Sequence, residues 1–344
     1  MKRKIAWLLT LVLACQALFG CGSALETAAT RTAVTADTAK EKTAPTETGT
    51  PEETEETMGP VNTEPSILDG KKILFVGNSH TYYGKVVLVK STSALTQAER
   101  SNDRGYFYQL CKSRGAKVSV TNWTFGNHNL KDLFGVCAAG RGCDGVNHAD
   151  YLTDRVFDYV VLQQGGSDVS VEENLALLDE IMAFFREANP DVKFVYLVNR
   201  RSYENGYPWL AGLDAIRAKG VTVVEWGKLI NDLILGEVSV PGARESYDQN
   251  TFIIRKSESD GYHPNMLTGY LTALMTYCAI TGESAVGQDY SFCGNTSLNI
   301  AFDFSVFISR YYTYLDAKTN FSAVFASKSD MRGLQELVDR YLAG

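Results

Sequence analysis

Short apolar segments alternate along the chain with longer segments in which apolar residues recur at helical spacing. The apolar segments predict strands at Lys72–Val76, Lys117–Asn122, Tyr159–Gln163, Lys193–Val198 and Val221–Glu225. The periodic segments predict helices at Tyr106–Ser113, Val171–Glu187, Trp209–Ala218, Lys228–Leu235, Met266–Thr281, Leu298–Ala317 and Ser329–Tyr341. Strands such as "DYVVLQ" are apolar at consecutive positions, as expected when both faces of a sheet are covered. The pattern predicts an α/β fold with a mainly parallel sheet of about five strands.

Polar residues or glycine follow four of the predicted strands directly. In a parallel sheet the carboxyl ends of the strands meet at one edge, and ligands bind outside that edge. Ser79 follows the first strand, Gly126 the second, Gln163 and Gln164 the third, and Asn199–Ser202 the fourth. We therefore expect a functional site at this edge.

The first 21 residues are typical of an export signal. A basic start, Lys2–Lys4, precedes the apolar segment Ile5–Leu13, which is too short to span a membrane. The sequence "LFGC" at Leu18–Cys21 then resembles a bacterial lipobox, with Cys21 as the lipidated residue. The alternative is an ordinary signal peptide that happens to contain a cysteine. The prediction is an extracytoplasmic protein, anchored to a bacterial membrane through a lipid on Cys21.

Residues 22–66 have a composition that differs from the rest of the chain. They are rich in Thr, Ala, Glu and Pro and almost lack large apolar side chains, so they cannot bury enough surface to offset the entropy of ordering. We predict a disordered tether here and a folded catalytic domain over residues 67–344. The net charge of −7 argues against a nucleic-acid partner, since phosphate binding needs a basic patch.

Cysteine use is consistent with export and does not indicate a metal site. Of the 7 cysteines, Cys15 would leave with the signal and Cys21 would carry the lipid, so an odd number remains and at least one thiol is free or pairs with another molecule. Cys137 and Cys143 bracket a short loop that a disulfide could close, which export would permit. The spacing matches no metal-ligand pattern, and we expect no metal and no cofactor.

A serine nucleophile needs a base, and the base needs an orienting group. His263 is one of only 4 histidines and stands in "SDGYHPN", three residues after Asp260. Pro264 disfavours helix at His263 and suits the first position of the following helix, so His263 is predicted on a loop at the start of that helix. Asp260 on the same turn could fix the imidazole tautomer. A solvent-exposed capping turn is the alternative for this pair, and Ser79 at the same sheet edge weighs against it.

The block "FVGNSHT" at Phe75–Thr81, followed far downstream by "DGYHP" at Asp260–Pro264, resembles the SGNH (GDSL-type) hydrolase superfamily. The resemblance covers most of Lys71–Gly282. It implies a flavodoxin-like, three-layer α/β/α sandwich. It also implies that Ser79 is the nucleophile, that His263 is the base, and that Asp260 orients it. Asn78 stands where the superfamily often has Asp, a position outside the triad.

The resemblance also implies the groups that would stabilise an oxyanion. The N–H groups of Ser79 and of Gly126, in "NWTFGNHNL", match the first two donors of the superfamily. The third donor is usually an Asn side chain, but Ser167 stands in that place here. A branch resembling sialate and other carbohydrate O-acetyl esterases has a Q-G-x-S pattern, which "QQGGSD" fits, and a glutamine amide can donate the same kind of hydrogen bond. The third donor is therefore predicted to be Gln164, with Gln163 and Ser167 as the alternatives.

Other residues near the edge are candidates for substrate binding. His128 closely follows the oxyanion glycine, Tyr82 follows the nucleophile, and Arg200 with its neighbour Arg201 could clamp an anionic group, although a solvated loop is the alternative for the arginines. Aromatic residues that could form a stacking wall for sugar rings, or simply be core, are Tyr82, Tyr83, Trp123, Tyr203, Tyr207 and Trp209.

The function expected from these residues is that of a serine esterase acting through an acyl-enzyme. Its substrate would be a small acyl ester, an acetyl group on a carbohydrate above all. Two alternatives stay open. An O-acyltransferase would pass the acyl group to a sugar hydroxyl of a cell-surface glycan, and a non-catalytic surface lipoprotein would only bind glycans, which would leave a complete triad without a purpose.

Overall fold

The structure is a computed structural model that describes residues 66–87, 105–135, 145–166, 169–243, 247–253, 263–294 and 328–344. The predictions that fall outside these residues concern Cys21 and the signal, almost all of the tether, Cys137, Cys143, Ser167, Asp260 and the helix over Leu298–Ala317. They stay predictions. None of the helices in the described part is long and apolar enough to cross a membrane.

Five parallel strands form one sheet in the order β2-β1-β3-β4-β5. Their bounds are β1 Lys72–Gly77, β2 Ser119–Thr124, β3 Tyr159–Gln163, β4 Lys193–Leu197 and β5 Thr222–Val224. This order is that of flavodoxin-like sheets, with the switch point between β1 and β3. β2 starts two residues later than predicted, because the backbone of Lys117 is bonded to Asp69 and Gly70 in the turn before β1.

The helices of the described part pack on both faces of the sheet. Their bounds are α1 Ser79–Tyr82, α2 Tyr106–Ser113, α3 Leu130–Phe134, α4 Val171–Arg186, α5 Arg200–Glu204, α6 Leu213–Ala218, α7 Trp226–Leu235, α8 Gln249–Phe252, α9 Met266–Thr281 and α10 Lys328–Ala343. Single 3-10 turns cover His148–Tyr151, Pro208–Gly212 and Ser291–Gly294. The helix predicted over Trp209–Ala218 is thus split at Gly212, a poor helix former that ends the 3-10 turn and caps α6.

Side chains alternate along β1 between two separate apolar cores. Ile73 and Phe75 belong to the core shared with α2, α7, α9 and α10, whereas Leu74 and Val76 belong to the core shared with α3, α4 and α6. A period of two is the period of a strand, so each face of the sheet packs on its own helix layer. The predicted three-layer α/β/α sandwich is confirmed.

A close contact ties the segment after β1 to the first turns of α9. A Cβ atom on Gly269 would lie 1.5 Å from the carbonyl oxygen of Gly84, so only glycine allows the two backbones to approach this closely. Gly84 follows α1, which begins at Ser79, and Gly269 follows the loop residue His263 by six positions. The contact therefore fixes the distance between the two elements that carry the predicted nucleophile and base.

Candidate active site

Ser79 and His263 meet at the carboxyl edge of the sheet. Nε2 of His263 lies 2.8 Å from Oγ of Ser79, which suits a hydrogen bond in which the hydroxyl donates to a neutral ring nitrogen. Residues 184 positions apart in the sequence are thus brought to bonding distance. This is the pairing that the sequence predicted, and it is the arrangement that nucleophile and base require.

The position of Ser79 follows from the turn at the end of β1. Asn78 caps α1, with its side-chain oxygen accepting from the N–H of His80 at 3.1 Å. Its amide nitrogen donates to the carbonyl oxygen of His128 at 2.9 Å, which an Asp at this position could not do. Gly77 allows the turn to lie against Gln163, since a Cβ there would be 2.9 Å from Cβ of Gln163.

The position of His263 follows from the start of α9. Asn265 caps α9 by accepting from the N–H of Thr268 at 3.0 Å. Pro264 lies one residue before this cap and pairs with Ile253 in an isolated bridge. The expectation that Pro264 takes the first helical position is wrong, because the Asn265 side chain provides the cap one residue later. His263 lies on the preceding loop, as predicted.

Two rings pack against the imidazole of His263. The ring of Tyr83 stacks on it at a centroid distance of 4.1 Å and an interplanar angle of 14°, and the ring of His80 lies 5.2 Å away. His80 is buried, and burial holds its pKa well below the ordinary value, with smaller contributions from its neighbours His263, Arg201 and Arg200. His80 is therefore a neutral neighbour of the base at neutral pH.

A cavity of about 450 Å³ opens above this pair. It is lined by Asn78, Ser79, His80, Tyr82, Tyr83, Gly126, Asn127, His128, Asn129, Gly165, Gly166, Arg201, Tyr207 and His263. Polar groups predominate, and the described part of the lining contains no carboxylate. The volume is within the range of small-molecule sites.

Gly126 and His128 both lie in the cavity wall, as predicted. A Cβ on Gly126 would lie 2.9 Å from the hydroxyl oxygen of Tyr82, so the absence of a side chain keeps this wall in contact with α1. Nδ1 of His128 lies 2.6 Å from the carbonyl oxygen of Gly126. Since a carbonyl oxygen only accepts, this nitrogen carries the proton and holds the turn that presents the Gly126 N–H.

The two glutamines of the third strand lie beneath the cavity and not in its wall. Nε2 of Gln164 donates to Oδ1 of Asn174 at 3.0 Å, and its Oε1 accepts from the N–H groups of Leu130 and Gly165. Gln163 accepts from the Thr81 hydroxyl at 2.7 Å, and its amide nitrogen donates to the carbonyl oxygen of Gln164 at 3.1 Å. Both amides thus have protein partners, and the predicted role of Gln164 or Gln163 as oxyanion donor has no support in this geometry.

Of the two arginines predicted as a possible clamp, Arg201 lines the cavity and Arg200 does not. Arg200 is buried, donates from Nη2 to Glu204 at 2.8 Å, and is absent from the cavity wall, whereas Arg201 lines it. α5 explains why only one of these two arginines lines the cavity, because successive residues on a helix face different directions. The predicted role of Arg200 in binding substrate finds no support in this placement.

The aromatic candidates divide between cavity wall and core. Tyr82, Tyr83 and Tyr207 line the cavity, although Tyr82 and Tyr207 are also buried members of the two apolar cores, whereas Trp123 and Trp209 lie in the core alone. Tyr203 bonds to Glu225, away from the cavity wall. The predicted stacking wall is therefore reduced to these three tyrosines, and one face of the Tyr83 ring is already stacked on His263.

Sequence reasoning missed the parts of the wall formed by Asn127 and Gly166. Asn127 has a φ of 61°, an uncommon conformation for a residue other than glycine and one that can mark a functional turn. The signal for Gly166 in the sequence is the pair of adjacent glycines that follows a buried strand.

No family model and no curated protein matches the chain. Among solved structures, a GDSL-like lipase from Parabacteroides merdae is 15% identical, with a TM-score of 0.41, over 64% of this chain and 99% of that one. An acetyl xylan esterase from Geobacillus stearothermophilus is 15% identical, with a TM-score of 0.40, over 62% and 95%. A family two carbohydrate esterase from Clostridium thermocellum is 16% identical, with a TM-score of 0.37, over 64% and 65%. Likenesses this low transfer no activity, so the chemistry has to come from the geometry of the cavity.

Proposed function

We propose that the protein is a serine esterase that removes a small acyl group from its substrate through an acyl-enzyme. The observation that carries this proposal is the 2.8 Å approach of Ser79 Oγ to His263 Nε2 at the floor of a polar cavity. A serine and a histidine at this distance, on the carboxyl edge of a parallel sheet, have the geometry of a nucleophile and its base.

In the proposed reaction, Ser79 Oγ attacks the carbonyl carbon of the ester while His263 Nε2 takes the hydroxyl proton. The bond to the leaving alcohol then breaks, and His263 returns the proton to the alcohol oxygen. Water attacks the acyl-enzyme by the same route, which frees the acid and restores Ser79. Asp260 would orient His263 and stabilise the imidazolium; this residue lies outside the described part of the chain.

Negative charge develops on the carbonyl oxygen in both steps and needs donors that are already in place. Ser79 and Gly126 line the cavity just after β1 and β2, so their N–H groups are the proposed donors. Ser79 is the first residue of α1, so its N–H has no partner within the helix. These two groups form the first part of the proposed oxyanion hole.

The substrate we propose is an acetyl ester of a carbohydrate. A polar cavity whose wall includes three tyrosines suits a sugar, because the hydroxyl groups of a sugar need hydrogen-bond partners. The "QQGGSD" segment adds the resemblance to carbohydrate O-acetyl esterases. His128 and Tyr82 would contact the sugar or its acyl group.

The test is hydrolysis by the purified full chain. We expect release of acetate from acetylated oligosaccharides and from a short aryl ester, together with covalent labelling of Ser79 by a fluorophosphonate. A chain that hydrolyses neither kind of ester, and whose Ser79 is not labelled, would contradict the proposal. Addition of an acceptor sugar would distinguish hydrolysis from acyl transfer by the products.

We also propose that the enzyme acts outside the cytoplasm on a lipid tether attached at Cys21. The proposal is supported by the order of basic, apolar and "LFGC" segments and by the composition of residues 22–66. Cys21→Ala should move the protein out of the membrane fraction. Membrane association that persists in this variant would contradict the lipid anchor.

A further inference from the structure

The turn after β3 forms the part of the proposed oxyanion site where a third hydrogen-bond donor is expected. A turn of Gly165 and Gly166 follows β3 and lines the cavity beside Ser79 and Gly126. The usual Asn is missing from this segment, and the glutamine amides are used elsewhere. The question is which group on this turn could face a developing negative charge.

The turn lies directly against the nucleophile segment. A Cβ on Gly165 would lie 1.9 Å from Nδ2 of Asn78, the residue before Ser79, and 3.3 Å from the carbonyl oxygen of His128. Asn78 also donates to that same carbonyl oxygen. The segments that carry the N–H groups of Ser79 and Gly126 therefore meet the glycine turn at one place.

Hydrogen bonds fix the backbone on both sides of the Gly166 nitrogen. On one side, the carbonyl oxygen of Gln164 accepts from Gln163 and from Asn199 at 3.2 Å, and the Gly165 N–H donates to Oε1 of Gln164 at 3.0 Å. On the other side, the carbonyl oxygen of Gly166 accepts from Nε1 of the buried Trp209 at 2.9 Å.

These hydrogen bonds do not use the N–H of Gly166. Within the described part of the chain it donates to no acceptor, whereas its neighbour Gly165 is satisfied. A buried backbone N–H that lacks a partner costs free energy, so a position of this kind in a cavity wall suits a ligand.

We propose that the N–H of Gly166 is the third oxyanion donor and that Gln164 acts only by positioning it. In this proposal the donor after the third strand is a backbone N–H and not a side-chain amide. Gln164 holds the turn in place through its hydrogen bond to Gly165. Gln164 is a positioning residue, since it touches the turn and not the substrate. This inference rests on the proposed esterase function and names a further group of the same site.

A substitution pair tests the donor directly. Proline has no N–H, whereas alanine keeps it, so Gly166→Pro and Gly166→Ala both add a side chain and differ in the donor. We expect Gly166→Pro to have a kcat about 100-fold below that of Gly166→Ala, the usual loss for one oxyanion donor, with a similar KM. Equal kcat values in two folded variants would overturn the inference.

Because Gly166→Pro could fail to fold, a second measurement uses the unsubstituted chain. The protein is labelled with ¹⁵N-glycine, and the Gly166 signal is identified by its loss in Gly166→Ala. An aryl phosphonate then phosphonylates Ser79 Oγ with loss of the aryl oxide, which leaves a charged oxygen in the oxyanion site. We expect the Gly126 and Gly166 amide protons to shift downfield, while that of Gly115, in the loop between α2 and β2, stays unchanged.

The outcomes separate the two proposals. A shift at Gly126 without a shift at Gly166 would overturn the inference and leave the esterase proposal standing. A wild-type chain that neither hydrolyses the aryl ester nor reacts with the phosphonate would overturn the esterase proposal itself, and the inference with it.

Discussion

The ends of β1 and β3 meet at the same cavity but use their residues in opposite ways. At the end of β1, the proposed nucleophilic atom belongs to the side chain of Ser79, which lines the cavity and contacts His263. At the end of β3, the polar side chains of Gln163 and Gln164 turn inward, and the glycine backbone forms the wall. One turn presents a side chain, whereas the other uses side chains to present its backbone.

The difference has an energetic reason. Gln164 is fully buried and makes three hydrogen bonds, to Leu130, Gly165 and Asn174. Turning its amide toward the cavity would leave the N–H groups of Leu130 and Gly165 without this acceptor, at about 1–3 kcal/mol for each one that stays buried, whereas Oδ1 of Asn174 would still accept from the Tyr196 hydroxyl. The Ser79 hydroxyl contributes less to the fold, since it bonds to His263 alone among the described residues. A residue with few structural bonds is free to react, and one with many is better suited to hold its neighbours.

Loss of the nucleophile should have the largest effect. Ser79→Ala removes the attacking oxygen, so we expect ester hydrolysis to fall by roughly 10⁴-fold or more. The free energy of unfolding should change little, because the hydroxyl makes one hydrogen bond at the cavity surface. The control is Ser113→Ala, whose hydroxyl donates to a carbonyl oxygen on α2 and whose loss should leave turnover unchanged. Near-wild-type turnover by Ser79→Ala would show that the side chain after β1 is not the nucleophile, and the contrast with β3 would then fail.

The next largest effect is expected from Gln164→Ala, which tests whether Gln164 positions the turn after β3 or donates to the oxyanion. If Gln164 positions the turn, both kcat and the free energy of unfolding should fall, the latter by roughly 2–4 kcal/mol, because the N–H groups of Leu130 and Gly165 lose their acceptor. If its amide donated to the oxyanion directly, kcat would fall by about 10²–10³ with little change in stability. Turnover and urea unfolding of the same sample distinguish these outcomes, and a kcat loss at unchanged stability would contradict the positioning role.

A smaller effect is expected from Gly269→Ala on α9. Alanine should stabilise a helix by up to about 1 kcal/mol relative to glycine, but its Cβ would overlap the carbonyl oxygen of Gly84, and overpacking of this kind costs about 1–3 kcal/mol. We expect lower stability and, since the contact joins the elements that carry Ser79 and His263, lower kcat as well. Urea unfolding and steady-state turnover measure the two effects.

The matched control is Gly333→Ala on α10. Its Cβ would lie 2.1 Å from the carbonyl oxygen of Pro241, a similar overlap away from the cavity, so stability should fall without a change in kcat of the folded protein. Equal kcat values for the two variants would show that the Gly84 contact does not set the active-site distance.

The sequence predicted the contact between Ser79 and His263 better than the arrangement of the glutamines at the end of β3. β3 and α9 have the predicted bounds, because a strand covered on both faces and a helix apolar on all sides leave strong patterns. Ser79 and His263 were found through a motif with a fixed chemical role. The inward turn of Gln164 could not be read from "QQGGSD", since it depends on Asn174 and Leu130, which only the fold brings near. Which of the two candidate arginines lines the cavity depends likewise on the direction in which a short helix starts.

The smallest effect concerns pH and the neutral state of His80 beside the nucleophile. Burial keeps the pKa of His80 well below its unfolded value of about 6.5, so below this pH the unfolded chain binds a proton that the folded chain does not. Stability from this residue is therefore fully present above pH 6.5 and decreases as the pH falls toward the lowered pKa. The slope contributed by one group is at most about 1.4 kcal/mol per pH unit. Urea unfolding between pH 7.5 and 5 should show a shallower decline in His80→Gln than in the wild type, and equal slopes would contradict a neutral, buried His80.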